Sequence, residues 1–278
     1  MKKFVSIILA MALCLTMCAS ALAETRLEKI QNAGVIHMAT SPDFAPLEFI
    51  DDSKTGQDMY VGADVELAKY IAKGLGVDLI IDPMDFAAVQ ASIAMKSTDM
   101  AIAGFAYTEE RAEMCEMSIY FNITTDDEED KGQTLLVPAG MEHEYATAES
   151  FAGKKIAVQN GSLQQQLAMQ QLPKDVELVP VADLGTSIVM LSEGKVDAIG
   201  VDGSNGELFA ANYPEVAVCD FKYVYEGEGN VLMVPQGETE LIEAINAILQ
   251  EVNDLGLYQQ WKDEATALAK SLNIEVNE

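Results

Sequence analysis

The residues best suited to chemistry are Arg111, Asp202 and the turn Gly161–Ser162, far apart in the chain. Arg111 falls in the first turn of a helix that Thr108 can cap, beside Glu109 and Glu110. Acids suit that end of a helix and a cation opposes its dipole. Two readings of Arg111 are open: a solvated side chain paired with a neighbouring Glu, or a guanidinium aimed off the carboxyl edge of a sheet at a ligand carboxylate, which its fork matches. Ser162, with Gln165 three residues on, is a capping box, and the same helix start offers backbone N–H groups to an anion. Asp202 ends an apolar run, either as a solvated loop acid or as a carboxylate projecting into a cleft.

Elements must position these groups. Asp85 is a good N-cap, and Phe86, Val89 and Ile93 share one helical face. Lys96-Ser97-Thr98 breaks that pattern. Met100 to Ala103 is a continuous apolar run, as expected of a parallel strand covered on both faces, and Gly104 lets the backbone approach something closely. Upstream, a helix over 26–31 and a strand over 35–40 lead into Ser41-Pro42-Asp43-Phe44-Ala45-Pro46, a loop stiffened by two prolines. Residues 51–59 read as a hairpin or loop, then a helix from Gly62 to Lys73 and a strand over 77–81. Asp64 and Glu66 read as acids favouring a helix N-terminus, without a chemical role. The second half repeats the alternation: strands over 134–137, 155–158 and 196–201, and helices from Ser162 and over 186–192. A strand over 231–234 and helices over 238–252 and 257–270 close the chain and read as architecture with no binding role. Lys195-Val196-Asp197-Ala198-Ile199-Gly200 loosely echoes Ser97 to Ile102, a hint of two similarly built lobes.

Composition bounds the rest. Lys2 and Lys3, an apolar run from Phe4 to Leu15 and Ala21-Leu22-Ala23 make residues 1–23 a targeting leader, with Met17 too large for a typical lipobox before Cys18. The net charge is −28, which argues against nucleic acid and anionic membrane surfaces as partners. Outside the leader, Cys115 and Cys219 are far apart and no disulfide between them is favoured. His37 and His143 lack ligand spacing, so neither metal nor cofactor is implied. The acidic run Asp126–Asp130 lacks the pattern of a calcium loop and reads as solvated.

The segment Met84-Asp85-Phe86…Asp99-Met100-Ala101-Ile102-Ala103-Gly104…Thr108-Glu109-Glu110-Arg111 resembles the signature of extracellular amino-acid-binding proteins of ABC transporters, solute-binding protein family 3, with the glutamine- and histidine-binding members most similar. The resemblance implies an α/β, two-lobe periplasmic-binding-protein fold (type II): two α/β domains joined by a two-crossing hinge, residues 24–122 plus 227–278 forming one lobe and 123–226 the other. It implies a monomer, secreted to the periplasm or the extracellular face of the cell membrane, that delivers an amino acid to an ABC transporter permease. By the same resemblance Phe44 is an aromatic platform, Arg111 and the Gly161–Ser162 turn hold the ligand carboxylate from opposite sides, and Asp202 takes the α-ammonium. Gly104 stands on the Arg111 lobe. Ala106 departs from the usual Ser or Thr five residues before the Arg, a loss of about 1 kcal/mol of hydrogen bonding, and Leu163 stands where histidine-binding relatives carry Thr. Ser41, Gln159 and Val201 replace an Asp, a Lys and a His of relatives, all by uncharged residues. With Phe86 offering an apolar face, the expected ligand is a neutral amino acid. The alternatives are an enzyme on the same fold, since some dehydratases share it, and a ligand-sensing module.

Overall fold

The computed structural model describes residues 24–123, 132–225 and 227–272. The leader, with Cys18, and the acidic run Asp126–Asp130 lie outside the described residues. Helix α1 (Arg26–Ala33) begins at Thr25, which exchanges capping bonds with Glu28, and ends at Gly34 in the left-handed conformation. Strand β1 (Val35–Thr40) follows, then the short hairpin β2 (Phe49–Ile50) and β3 (Tyr60–Val61). Helix α2 (Ala63–Leu75), strand β4 (Asp78–Pro83), helix α3 (Phe86–Ala94), strand β5 (Met100–Ala101), helix α4 (Glu109–Met114) and strand β6 (Cys115–Met117) complete the first passage. The second contains β7 (Gln133–Pro138), β8 (Lys155–Gln159), α5 (Leu163–Gln171), β9 (Glu177–Val181), α6 (Leu184–Ser192), β10 (Ala198–Asp202), α7 (Gly203–Asn212) and β11 (Val216–Lys222). The chain returns as β12 (Met233–Pro235) and ends in α8 (Thr239–Leu255) and α9 (Leu257–Ser271).

These strands form two five-stranded sheets, ordered β4-β1-β5-β12-β6 and β11-β7-β10-β8-β9. In the first, β1 is parallel to β4 and β5, while β12 runs antiparallel to β5 and β6. In the second, β8 is parallel to β9 and β10, and β7 is antiparallel to β10 and β11. Parallel neighbours need crossover connections, which the helices supply. Leu135 and Val137 pack with Ile156 and Val158 in one cluster, whereas Leu136 and Ala157 pack with Ile199 and Val201 in another. Successive strand residues point to opposite faces, so this sheet is buried on both sides. In the first lobe Leu67 and Ile71 of α2 meet Leu241, Ile245 and Leu249 of α8. Cys115 and Cys219, in different sheets, are both buried free thiols.

The two connections between the sheets pair with each other. Phe121 and Asn230 form an antiparallel bridge, N–H to carbonyl in both directions at 2.9 and 2.8 Å. Gly229 has φ +148°, and a Cβ there would lie 2.6 Å from the Phe121 carbonyl oxygen. Only glycine fits that approach without displacing the paired strand.

Strands β6, β9 and β11 and helix α7 were not expected from the sequence. Helix α7 opens Gly203-Ser204-Asn205-Gly206, a poor helix former by propensity. The Asp202 cap and the burial of Phe209 stabilise it instead. The expected strand over 100–103 is entirely buried but ladders only at Met100–Ala101, with one further bond from Ile102 N to Ala39 O. Asp64 stands in the first turn of α2, as expected, and does more there than favour the helix start. It is fully buried and accepts hydrogen bonds from the Gly104 N–H and the Tyr258 hydroxyl, tying α2, the cleft loop and α9 together.

Candidate functional site

Between the two sheets lies a cavity of about 680 Å³. Phe44, Phe86, Gly104, Ala106 and Arg111 line it from the first lobe, and Gln159, Ser162 and Asp202 from the second. Local chemistry accounts for the arrangement. The Thr108 hydroxyl caps α4 by accepting from Arg111 N at 3.2 Å, which fixes the backbone of the Arg at the helix start. The Asp85 carboxylate caps α3 by accepting from Ala88 N at 2.9 Å, which sets Phe86 in the first turn.

Arg111 is buried, with its guanidinium carbon 5.1 Å from the centre of the Phe105 ring and 5.7 Å from that of Phe86. It donates to the Ala106 carbonyl at 2.7 Å, the Gly161 carbonyl at 3.2 Å and the Gln90 side-chain oxygen at 3.3 Å. All three partners are uncharged. The solvated, Glu-paired reading of this residue therefore fails, although burial lowers its pKa only to about 10 and leaves it a cation at neutral pH. A buried cation with only neutral partners is held at a cost of several kcal/mol that an incoming anion relieves.

Ser162 caps α5 by accepting from Gln165 N at 3.1 Å. The Gln165 side chain reaches back one residue beyond a capping box, accepting from Gly161 N at 2.8 Å. The Gly161 N–H is thus engaged, its carbonyl accepts from Arg111 and Gln90 of the other lobe, and Gly161 does not line the cavity. The first-turn residues Leu163 and Gln164 do line it, and such N–H groups have no partner within a helix. Ser41 also lies away from this cavity. It is buried, and its hydroxyl donates to the Asp43 carboxylate at 2.8 Å. Asp202 caps α7 by accepting from Ser204 N at 3.0 Å and accepts from Gln133 Nε2 at 3.0 Å. A Cβ on Gly104 would touch the Phe44 ring at 3.1 Å, so its absence lets the aromatic lie against the backbone.

Other residues on the cavity wall were not anticipated. Asp43 is one, so that Asp202 is not alone as an acid on the wall. Its signal was present, an acid inside the stiff loop one residue before Phe44. Glu48 is another, 1% exposed and coupled to Asp64. Desolvation foremost, then the Asp64 charge, holds its carboxyl well above the usual range. Helix α9, expected to be architecture alone, contributes Lys262, Thr266 and Lys270 to the wall. No local pattern in α9 marks this, because docking against the first lobe brings it there. Among the described residues no cluster of three or more His, Cys, Asp or Glu side chains could hold a metal ion, and no helix is long and apolar enough to cross a membrane.

This architecture recurs in known proteins. The solved amino-acid ABC transporter substrate-binding protein of Streptococcus pneumoniae, bound to L-arginine, superposes with a TM-score of 0.78 at 30% identity, covering 87% of this chain and 98% of its own. A putative ABC transporter arginine-binding protein 2 of Escherichia coli K12 is 27% identical over 82% of this chain and 88% of its own length. The cyclohexadienyl dehydratase of Pseudomonas aeruginosa is 26% identical over 85% of both. The two lobes are those of the type II periplasmic-binding-protein fold. Residues 36–266 match the bacterial extracellular solute-binding proteins, family 3, and the chain belongs to that family.

Proposed function

We propose that this protein binds one amino acid between its lobes, the carboxylate on Arg111 and the N-terminus of α5 and the α-ammonium on Asp202, and delivers it as a monomer to an ABC transporter permease. The observation that carries this reading is Arg111, a buried guanidinium on the cavity wall whose partners are all uncharged. Supporting it, most of the similar proteins are named for amino acids and ABC transport. Binding without catalysis is favoured because Asp43 and Asp202 on the cavity wall already hold structural hydrogen bonds. Asp43 has three donors, and Asp202 caps a helix. Recovery of the bound compound unchanged after prolonged incubation distinguishes this from the dehydratase-like alternative.

The side chain of the ligand is proposed to be neutral, because a cationic one would have to displace donors from Asp43, whose carboxylate already accepts three hydrogen bonds. A second reading, a cationic side chain, is favoured by the acid at Asp43 and by the arginine bound to the streptococcal relative. Thermal-shift titration across the amino acids decides. A ligand at a hundred times its Kd adds about 2.7 kcal/mol, or a rise in Tm of roughly 5–10 °C. The largest rise is expected for a neutral amino acid. A largest rise with Lys or Arg establishes the second reading, and one with Asp or Glu defeats both.

A further inference from the structure

The lobes touch at two ends of a seam. At one, Arg111 and Gln90 donate to the Gly161 carbonyl. At the other, the Ser41–Pro46 loop of the first lobe reaches into the second. One Asp43 carboxylate oxygen accepts from Gln159 Nε2 at 2.9 Å and from Leu184 N, the first N–H of α6, at 3.1 Å, while the other accepts from Ser41 Oγ at 2.8 Å. Two residues on, the Ala45 carbonyl accepts from the buried Asn205 Nδ2 at 2.8 Å. Phe44 packs against the cores of both lobes. Resting on the cleft reading above, we infer that Asp43 is a closure residue. It fastens the loop to the second lobe by accepting hydrogen bonds, and so sets how long the lobes stay shut on any ligand without reading the ligand's side chain.

The latch works through acceptor geometry, not charge. Asp43 has no cationic partner among its hydrogen bonds, Asp183 lies close enough to repel it, and desolvation, the largest influence, raises its pKa. A neutral side chain of the same shape should therefore hold the seam. An Asn amide oxygen can accept from Gln159 and Leu184 while its amide faces the Ser41 hydroxyl, which reverses its bond. Alanine leaves both donors without an acceptor in the closed form.

The test compares D43A and D43N with the parent in stopped-flow binding of every amino acid that stabilises the parent. D43A is expected to raise the dissociation rate by roughly five- to thirtyfold, the equivalent of one to two neutral hydrogen bonds, by a similar factor for each ligand. D43N is expected within about threefold of the parent. Selective loss of cationic ligands in D43N overturns the proposal and makes Asp43 their counter-ion, and an unchanged dissociation rate in D43A overturns it too. Small-angle scattering without ligand reads the latch by itself, so a parent that binds no amino acid fails the cleft reading and leaves this arm intact. D43A should then show a larger radius of gyration than the parent, and an equal radius counts against the latch. If D43A is unfolded by circular dichroism, Gln159→Leu removes one donor from the opposite lobe and is held to the same expectations.

Discussion

At the scale of single residues, burial decides what each charge can do. Replacing Arg111 by Met removes the cation but keeps an apolar stem against Phe86 and Phe105. Affinity should fall at least thirtyfold, the effect of losing a desolvated charge contact of about 2–5 kcal/mol. Tm should change little, since the desolvation cost of the buried cation is relieved while its three hydrogen bonds are lost. Calorimetry and a melting curve on the same sample check both halves, and binding within threefold of the parent would make Arg111 a bystander. Glu48 yields a pH signature. Its folded pKa lies well above that of an exposed Glu, so its contribution to stability is complete below about pH 4.3 and declines as pH rises toward the folded value. Glu48→Gln cannot ionise and should flatten that decline. Melting temperatures from pH 4 to 8 should converge at the acid end and separate in favour of the variant toward pH 8. Parallel curves would mean that Glu48 does not titrate as its burial implies.

At the scale of elements, the crossings are the vulnerable part. Gly229→Ala must relieve a 2.6 Å approach to the Phe121 carbonyl at a backbone conformation that L-residues rarely adopt. A cost of about 1–3 kcal/mol is expected, or a fall in Tm of roughly 2–10 °C. Gly76→Ala, with φ +75° but nothing within 4 Å of the added carbon, should cost only about 1 kcal/mol. Similar melting temperatures for the two variants would show that the hinge strands simply move apart. The elements that sequence periodicity identified were those with strong caps and regular apolar spacing. Helix α8 presents Leu241, Ile245, Leu249 and Val252 on one face and ends at Gly256, and it was readable in advance. Helix α7, with two glycines in its first turn, was not, because packing and not propensity holds it.

At the scale of the whole molecule, a ligand touching both lobes favours the closed form by the difference in contacts it makes there. The ligand-free wild-type protein is expected to divide between open and latched forms, so its radius of gyration should fall at saturating ligand, and should fall further in D43A, whose free form is the more open. An identical profile would mean that the lobes rest shut already, as the Gly161 and Asp43 ends of the seam would allow. The dissociation rate of D43A, which should then change while the wild-type profile does not, separates that case from a molecule without closure.

What the sequence determined by itself was local: the caps at Asp85, Thr108 and Ser162, the buried strands, and the placing of Arg111 and Asp202 at element ends. Those follow from backbone hydrogen bonding and apolar periodicity, which act within a few residues. Tertiary structure decided which end groups meet. It turned the Gly161 carbonyl toward Arg111, fastened Asp43 to Gln159 and Leu184, drew Lys262 of α9 to the cavity wall and buried Asp64 beneath Gly104. Each of these contacts joins segments whose meeting depends on how sheets and lobes pack, and on how far that packing strips water from a charge. Neither quantity is encoded in any short stretch of chain.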